Sequence, residues 1–252
     1  MANTWSFFPT AATLIKASLR RIRAYDPEDQ TTISTTQFNN ALETLNFLMS
    51  AWQAFGMQIW CRKQSNSNVL TASQGIYTVG SGGNISINRP LNIVQAWITD
   101  TTAVPPVDVP INIIGQQEYL LLSTKTATGT PTQMWYDPEY DAASNSGATS
   151  KGKLYLWPYP DAYSAAHKQL NFLYQRPLED FDTTSDTIDM PQEWYNALRL
   201  QLALAIGPEY GLPAQDYDRL KKEADDALDL AKSWDTEQDS LFVMPDYNRD
   251  ML

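Results

Sequence analysis

Apolar residues recur at helical spacing in four stretches of this 252-residue chain, two toward each end, and the period vanishes between them. A three-and-four repeat lays one stripe along one face of a helix, and such a stripe must be buried against another element. The first stretch, from about Ala11 to Tyr25, carries Ala11, Leu14, Ile15, Leu19 and Ile22, with the small Ser18 on the same face. Asp26-Pro27 is expected to stop it. The second, from about Gln37 to Phe55, has Thr36 as its expected N-cap and Gly56 as its stop. Phe38, Ala41, Leu42, Leu45, Leu48, Met49, Trp52 and Phe55 hold its period throughout. The third opens at Pro191, a residue suited to the first helical position, and carries Trp194, Ala197, Leu198, Leu202 and Ala205 up to Gly207-Pro208. The fourth, from about Ala214 to Trp234, keeps Tyr217, Leu220, Ala224, Ala227, Leu228, Ala231 and Trp234 in step. Its other face holds Asp218, Lys221, Lys222, Glu223, Asp225 and Asp226.

From about Asn68 to Arg176 the residue types change to short β-rich runs separated by turns. The expected strands are Gly75–Val79, Ile85–Ile87, Ile93–Ile98, Ile111–Ile114, Glu118–Leu122, Thr132–Tyr136, Lys153–Trp157 and Gln169–Tyr174. Gly80 to Asn84 reads as a flexible turn, and the small residues from Asp141 to Gly152 as an exposed loop. The predicted class is α+β: an amphipathic helical bundle from both chain ends with an inserted β-sandwich or small barrel. Residues 1–64 and 181–234 form the two halves of the bundle in this reading, residues 65–180 the insert, and residues 235–252 an extended C-terminal arm. Pro245 blocks helix in that arm, yet Leu241, Phe242, Val243, Met244, Tyr247, Met251 and Leu252 are too apolar for a plain disordered end. Either a strand returning to the chain's own core or an arm folding onto a partner accounts for them.

Charge narrows the function. With 18 Lys+Arg against 29 Asp+Glu, the net charge is −11, which argues against a general DNA binder. The one dense basic run is Lys16, Arg20, Arg21 and Arg23, and a solvated helix face is its simplest explanation. A single cysteine, Cys61, excludes a disulfide framework or a cysteine-rich zinc site within one chain. Neither a signal peptide nor the roughly 20 apolar residues of a bilayer span is apparent. A soluble protein of a reducing cytoplasm, with no membrane partner, is expected.

Little points to catalysis. The sole histidine, His167, lacks a Gly-x-Ser-x-Gly turn to support a triad. Gly80, Gly82 and Gly83 are not followed by Gly-Lys-Ser/Thr and open no βαβ unit. No catalytic residue, metal or cofactor is predicted, and the chain is read as no enzyme. One segment suggests an alternative: in Trp135-Tyr136-Asp137-Pro138-Glu139-Tyr140-Asp141, carboxylates lie beside aromatic rings, as in a glycan-binding or cell-wall-degrading tail protein. A generic soluble α+β protein is a third class. Among the aromatics, Trp52, Trp194 and Trp234 are core by helical position, whereas Trp157 and Tyr159 are candidates for subunit contacts.

Several fragments occur in an order that resembles a known family. They are Ala41-Leu42-Glu43-Thr44-Leu45-Asn46 through Met49-Ser50-Ala51-Trp52 and Gly56-Met57-Gln58-Ile59-Trp60; then Tyr77-Thr78-Val79-Gly80; and Arg89-Pro90-Leu91-Asn92-Ile93-Val94-Gln95-Ala96. Leu154-Tyr155-Leu156-Trp157-Pro158-Tyr159-Pro160 and Ile188-Asp189-Met190-Pro191-Gln192-Glu193-Trp194 follow, the latter leading into Ala197-Leu198 and Leu202-Ala203-Leu204-Ala205. In the Gly-x-x-x-Tyr-x-x-Gly pattern, Ser73 replaces the first glycine. Together they resemble the head-to-tail adaptor (connector) family of short-tailed bacteriophages, which includes the packaged-DNA stabilisation protein of P22-like phages and the tail tubular protein A of T7-like phages.

The resemblance implies a structural virion protein at the head–tail junction, made in the host cytoplasm. It implies a ring, usually of twelve copies, between the portal protein and a tail nozzle or tail tube protein. Double-stranded DNA would pass through the ring without sequence-specific binding. The arm then acquires a role, with Leu241, Phe242, Val243, Met244, Pro245 and Tyr247 docking on the portal.

Overall fold

The computed structural model describes residues 7–26, 28, 33–54, 59–139 and 150–235. The chain divides into two units, one of Met1–Leu48 with Phe181–Leu252 and one of Met49–Asp180. Helices dominate the first: α1 (Ala11–Arg21), most of α2 (Thr35–Ala54), α5 (Tyr195–Ile206) and α6 (Ala214–Trp234). The second holds β1 (Arg62–Val69), β2 (Ile76–Val79), β3 (Asn92–Asp100), β4 (Val107–Ile113), β5 (Thr128–Gly129), β6 (Gln133–Asp137), β7 (Gly152–Trp157), β8 (Tyr159–Pro160) and β9 (Lys168–Gln175). Short helices α3 (Gln116–Leu121) and α4 (Ala162–His167) lie among them. This is an α+β fold.

In the helical unit α5 contacts both α1 and α6. Its Ala197, Leu198, Leu202, Ala203 and Ile206 are buried, and so are Leu14, Ile15 and Leu19 of α1 and Leu220, Ala224 and Ala231 of α6. Ser18 sits in this core because its hydroxyl lies 3.0 Å from the Leu14 carbonyl and 2.9 Å from the Arg199 carbonyl. A buried hydroxyl needs such a partner. The first amides of α1 are satisfied by carbonyls, Ala11 N–H to Asp186 at 2.9 Å and Ala12 N–H to Thr184 at 2.8 Å.

The expected end of α1 and the expected cap of α2 need correction. α1 stops at Arg21, four residues before Tyr25, because Arg23 turns left-handed (φ 59°). Ala24 N–H then bonds the Leu19 carbonyl and Arg23 N–H the Arg20 carbonyl. This 6→1 and 5→2 pair closes a helix without help from proline. In α2 the cap is Ser34 rather than Thr36. Gln37 N–H donates to Ser34 Oγ at 3.2 Å, and Ser34 N–H to Gln37 Oε1 at 3.2 Å, a reciprocal capping box. The expected stop at Gly56 lies outside the described residues.

The second unit is a seven-stranded mixed sheet in the order β1-β9-β3-β4-β6-β7-β2, curled into a half-barrel, with β5 and β8 as a separate pair. The sandwich-or-barrel expectation thus resolves to one sheet closing partly on itself. Every neighbouring pair in the seven-stranded sheet is antiparallel except β4 and β6. Phe172, Leu170, Ile98, Met134, Leu154 and Leu156 fill its core. Pairing of β4 with β6 begins only at Asn112, whose N–H reaches the Thr132 carbonyl at 3.0 Å. Strand N–H groups alternate sides, so two residues earlier Pro110 occupies a β6-facing position and has no proton to give.

Two expected strands differ, and one strand was not foreseen. Glu118–Leu122 belongs largely to α3, where Tyr119 is buried; a short apolar run reads equally as one helical turn. Ile85 makes a single bridge to Val79 in place of a strand. β1 was not expected at all, because Arg-Lys-Gln-Ser-Asn-Ser-Asn-Val has no apolar alternation. It is an edge strand, paired only with β9.

Candidate functional site: the assembly surfaces

The residues expected to dock on a portal, Leu241, Phe242, Val243, Met244, Pro245 and Tyr247, lie outside the described residues. Other singled-out residues can be placed. His167 ends α4 with its ring 4.7 Å from that of Tyr163, and its backbone carbonyl accepts from Thr101 N–H at 2.9 Å. Among the described residues no group of three or more His, Cys, Asp or Glu could hold a metal ion, and no helix is long and apolar enough to cross a membrane.

Strand geometry separates the parts of the aromatic–carboxylate segment. Trp135 and Asp137 share one face of β6, and Tyr136 takes the other. Tyr136 is buried, and its hydroxyl donates to the Pro90 carbonyl at 2.7 Å. Burial pushes its pKa well above the usual tyrosine value. The Trp135 ring is stacked on Tyr155 at 4.3 Å and flanked by Tyr119 at 5.5 Å. Burial, with the neighbouring Tyr159 and Tyr155 hydroxyls, pushes Tyr119 up to about 12. Glu139 is held by Lys153 at 2.6 Å. The rings of Trp135, Tyr155 and Tyr119 form one cluster under α3, the Glu139 carboxylate pairs with an ammonium, and Tyr140 and Asp141 lie outside the described residues.

The aromatics expected at subunit contacts are likewise engaged within the sheet unit. Trp157 Nε1 donates to the Thr124 carbonyl at 2.9 Å. The Tyr159 ring lies over Gly75 so closely that a Cβ there would come within 1.7 Å of it. Of the three tryptophans assigned to the core, Trp52 and Trp194 are buried, but Trp234 is 56% exposed at the end of α6.

The basic run gains members that spacing did not reveal. α1 contains Lys16, Arg20 and Arg21 and no acid, so its last turn complements the helix dipole. Arg21 pairs with Glu223 of α6, which also lies 3.6 Å from Arg219 Nε. From α5, 178 residues after Arg21, comes Arg199; the separation explains why sequence reading missed it. Its Nη2 donates to Asn196 Oδ1 at 2.9 Å, while its buried Nε has no hydrogen-bond partner among the described residues. Ala17, Arg20, Arg21, Arg23 and Arg199 line an open hollow of about 520 Å³. A groove of about 570 Å³ shares Ala17, Arg20 and Arg199 and continues along Leu14, Phe7 and Tyr195. Guanidinium forks side by side bind oxyanions by paired hydrogen bonds.

The described residues thus form a helical unit with a cationic, grooved surface and a half-barrel sheet. Over residues 9–243 the chain matches the family model described as SU10 adaptor protein, and it belongs to that family of phage head-to-tail adaptors. No curated protein matches it.

Proposed function

We propose that this chain assembles as a ring, of twelve copies, between the portal and the tail, and lines the channel through which DNA leaves the head. The observation that carries the reading is membership of the adaptor family across residues 9–243. Two features support it. The chain carries amphipathic helices at both ends, and its net charge of −11 suits a conduit from which phosphate must not be held back. The arm docks on the portal through Leu241, Phe242, Val243, Met244, Pro245 and Tyr247. A tail nozzle or tail tube protein seats on the opposite side. The virion's head–tail junction is then its place, after synthesis in the host cytoplasm.

Native mass of the chain, alone and mixed with the portal ring of the same phage, tests this. Stoichiometric addition to the portal, lost on truncation after Ser240, is the expected result. A chain that stays at 28.4 kDa and ignores the portal overturns the reading.

A further inference from the structure

The helical unit carries two separate surfaces that fit one another. One is the groove between α1 and α5. Its floor and walls are apolar at the end formed by Phe7, Leu14 and Tyr195, whose ring meets that of Phe7 edge-on at 6.3 Å. Its other end is cationic, with Arg20 and the half-buried Arg199. The second is the outer stripe of α6. Asp226, Leu230 and Trp234 stand four residues apart and so lie on one face. All three are exposed, Leu230 at 73%. Leu230 and Trp234 in line give this face an apolar strip beside the Asp226 carboxylate, which a partner can cover.

We infer that the α6 stripe of one copy lies in the α1–α5 groove of the next, with Asp226 against Arg20 and Arg199 and with Trp234 at the apolar end. Length and polarity both agree. At 1.5 Å per residue, Thr13 to Arg20 spans about 10 Å and Asp226 to Trp234 about 12 Å. α1 runs from apolar to cationic and α6 from anionic to apolar, so the ends match when the helices are antiparallel. The charge balance agrees as well, since α1 has no acid and the part of α6 after Glu223 has Asp225, Asp226 and Asp229 against Lys232 alone. Leu230 and Trp234 supply the adhesion, and the ion pairs fix register. The two surfaces are different patches on one chain, so the contact is heterologous, the kind that propagates from copy to copy into a closed ring.

This inference rests on the ring reading above, and its test separates the two. Full-length chain is assembled on the portal ring, treated with a short bismaleimide and run on a denaturing gel. The Ala17→Cys/Leu230→Cys variant is expected to give a ladder of trimers and higher species, whereas each single variant gives dimers at most. Arg20→Glu, at an exposed position, should raise the concentration needed for assembly at least tenfold, and Asp226→Arg in the same chain should restore it. Normal assembly without a ladder, or without a charge-swap effect, overturns the inference and leaves the ring standing. So does an Arg20→Glu variant whose only defect is weaker retention of double-stranded DNA. Wild-type chain that never joins the portal removes the ring reading itself.

Discussion

The two units are stabilised in different ways. In the helical unit the buried residues of α1 and α6 fall at the positions their period dictates, whereas α5 is buried more widely, with Leu200 enclosed and the expected Ala205 exposed; one serine hydroxyl is the buried polar feature of α1. Side chains there can be read as a stripe. In the sheet unit the fit depends on individual glycines beneath individual rings. A Cβ on Gly152 would stand 2.4 Å from the Tyr136 hydroxyl, and Gly75 lies under Tyr159. Tyr77 is fixed by a hydroxyl that accepts from Thr71 N–H at 2.9 Å. A curled sheet turns strands toward one another, and large rings fill the inside of the bend only where a neighbour has no side chain. The helical unit is therefore specified by pattern and the sheet unit by pairs.

Truncations that open cavities should hurt both units most. Phe172→Ala in the sheet is expected to cost about 3–5 kcal/mol and Leu202→Ala in α5 about 2–5 kcal/mol, measured by urea unfolding. The next effect separates the units. Gly152→Ala should cost about 1–3 kcal/mol by overpacking, and Tyr136→Phe about 1–3 kcal/mol by leaving the Pro90 carbonyl unpaired. The double variant should fall short of the sum by at least about 0.5 kcal/mol, since phenylalanine lacks the oxygen that the new methyl meets. Additive costs would break the distinction between pairs and pattern. In the helical unit, Ser34→Ala removes half of the capping box and should cost about 1 kcal/mol. Arg21→Ala loses only an exposed pair with Glu223, worth at most about 1 kcal/mol in thermal unfolding.

Acid is where the units behave alike. Asp186 is held below the usual carboxylate range by the Thr183 hydroxyl and N–H, and Asp161 by the Ser164 N–H and hydroxyl. A depressed carboxyl stabilises above its unfolded pKa, near roughly 3.9, and that contribution disappears as pH falls through the lower folded value. Asp186→Asn and Asp161→Asn should each flatten the stability profile below about pH 4, and a profile unchanged in either would exempt that unit.

These differences also explain what the residues disclosed beforehand. α6 begins and ends where its period does, and β3, β6, β7 and β9 lie where alternation placed them within one or two residues. The end of α1 was hidden because the left-handed residue that closes it is an arginine, not a glycine. β1 was hidden because an edge strand with polar faces carries no alternation. Trp234 departs from its expected core position because the period identifies a stripe but not whether its last residue is covered within the chain. Arg199 joins the basic run only through the packing of α5 on α1, a long-range fact that local spacing does not contain. The arm's apolar residues were legible as a feature of the sequence, and their role remains a proposal.

Pro110 has a consequence beyond the place where β4 meets β6. Along this margin the outward donors belong to residues 106, 108 and 110, and two of the three, Pro106 and Pro110, are prolines. A foreign strand arriving there would find one amide proton, that of Asp108, next to a carboxylate. An open strand margin risks pairing edge to edge with other chains into insoluble fibres. Imino acids at alternate positions guard against that outcome, leaving the margin in contact with solvent.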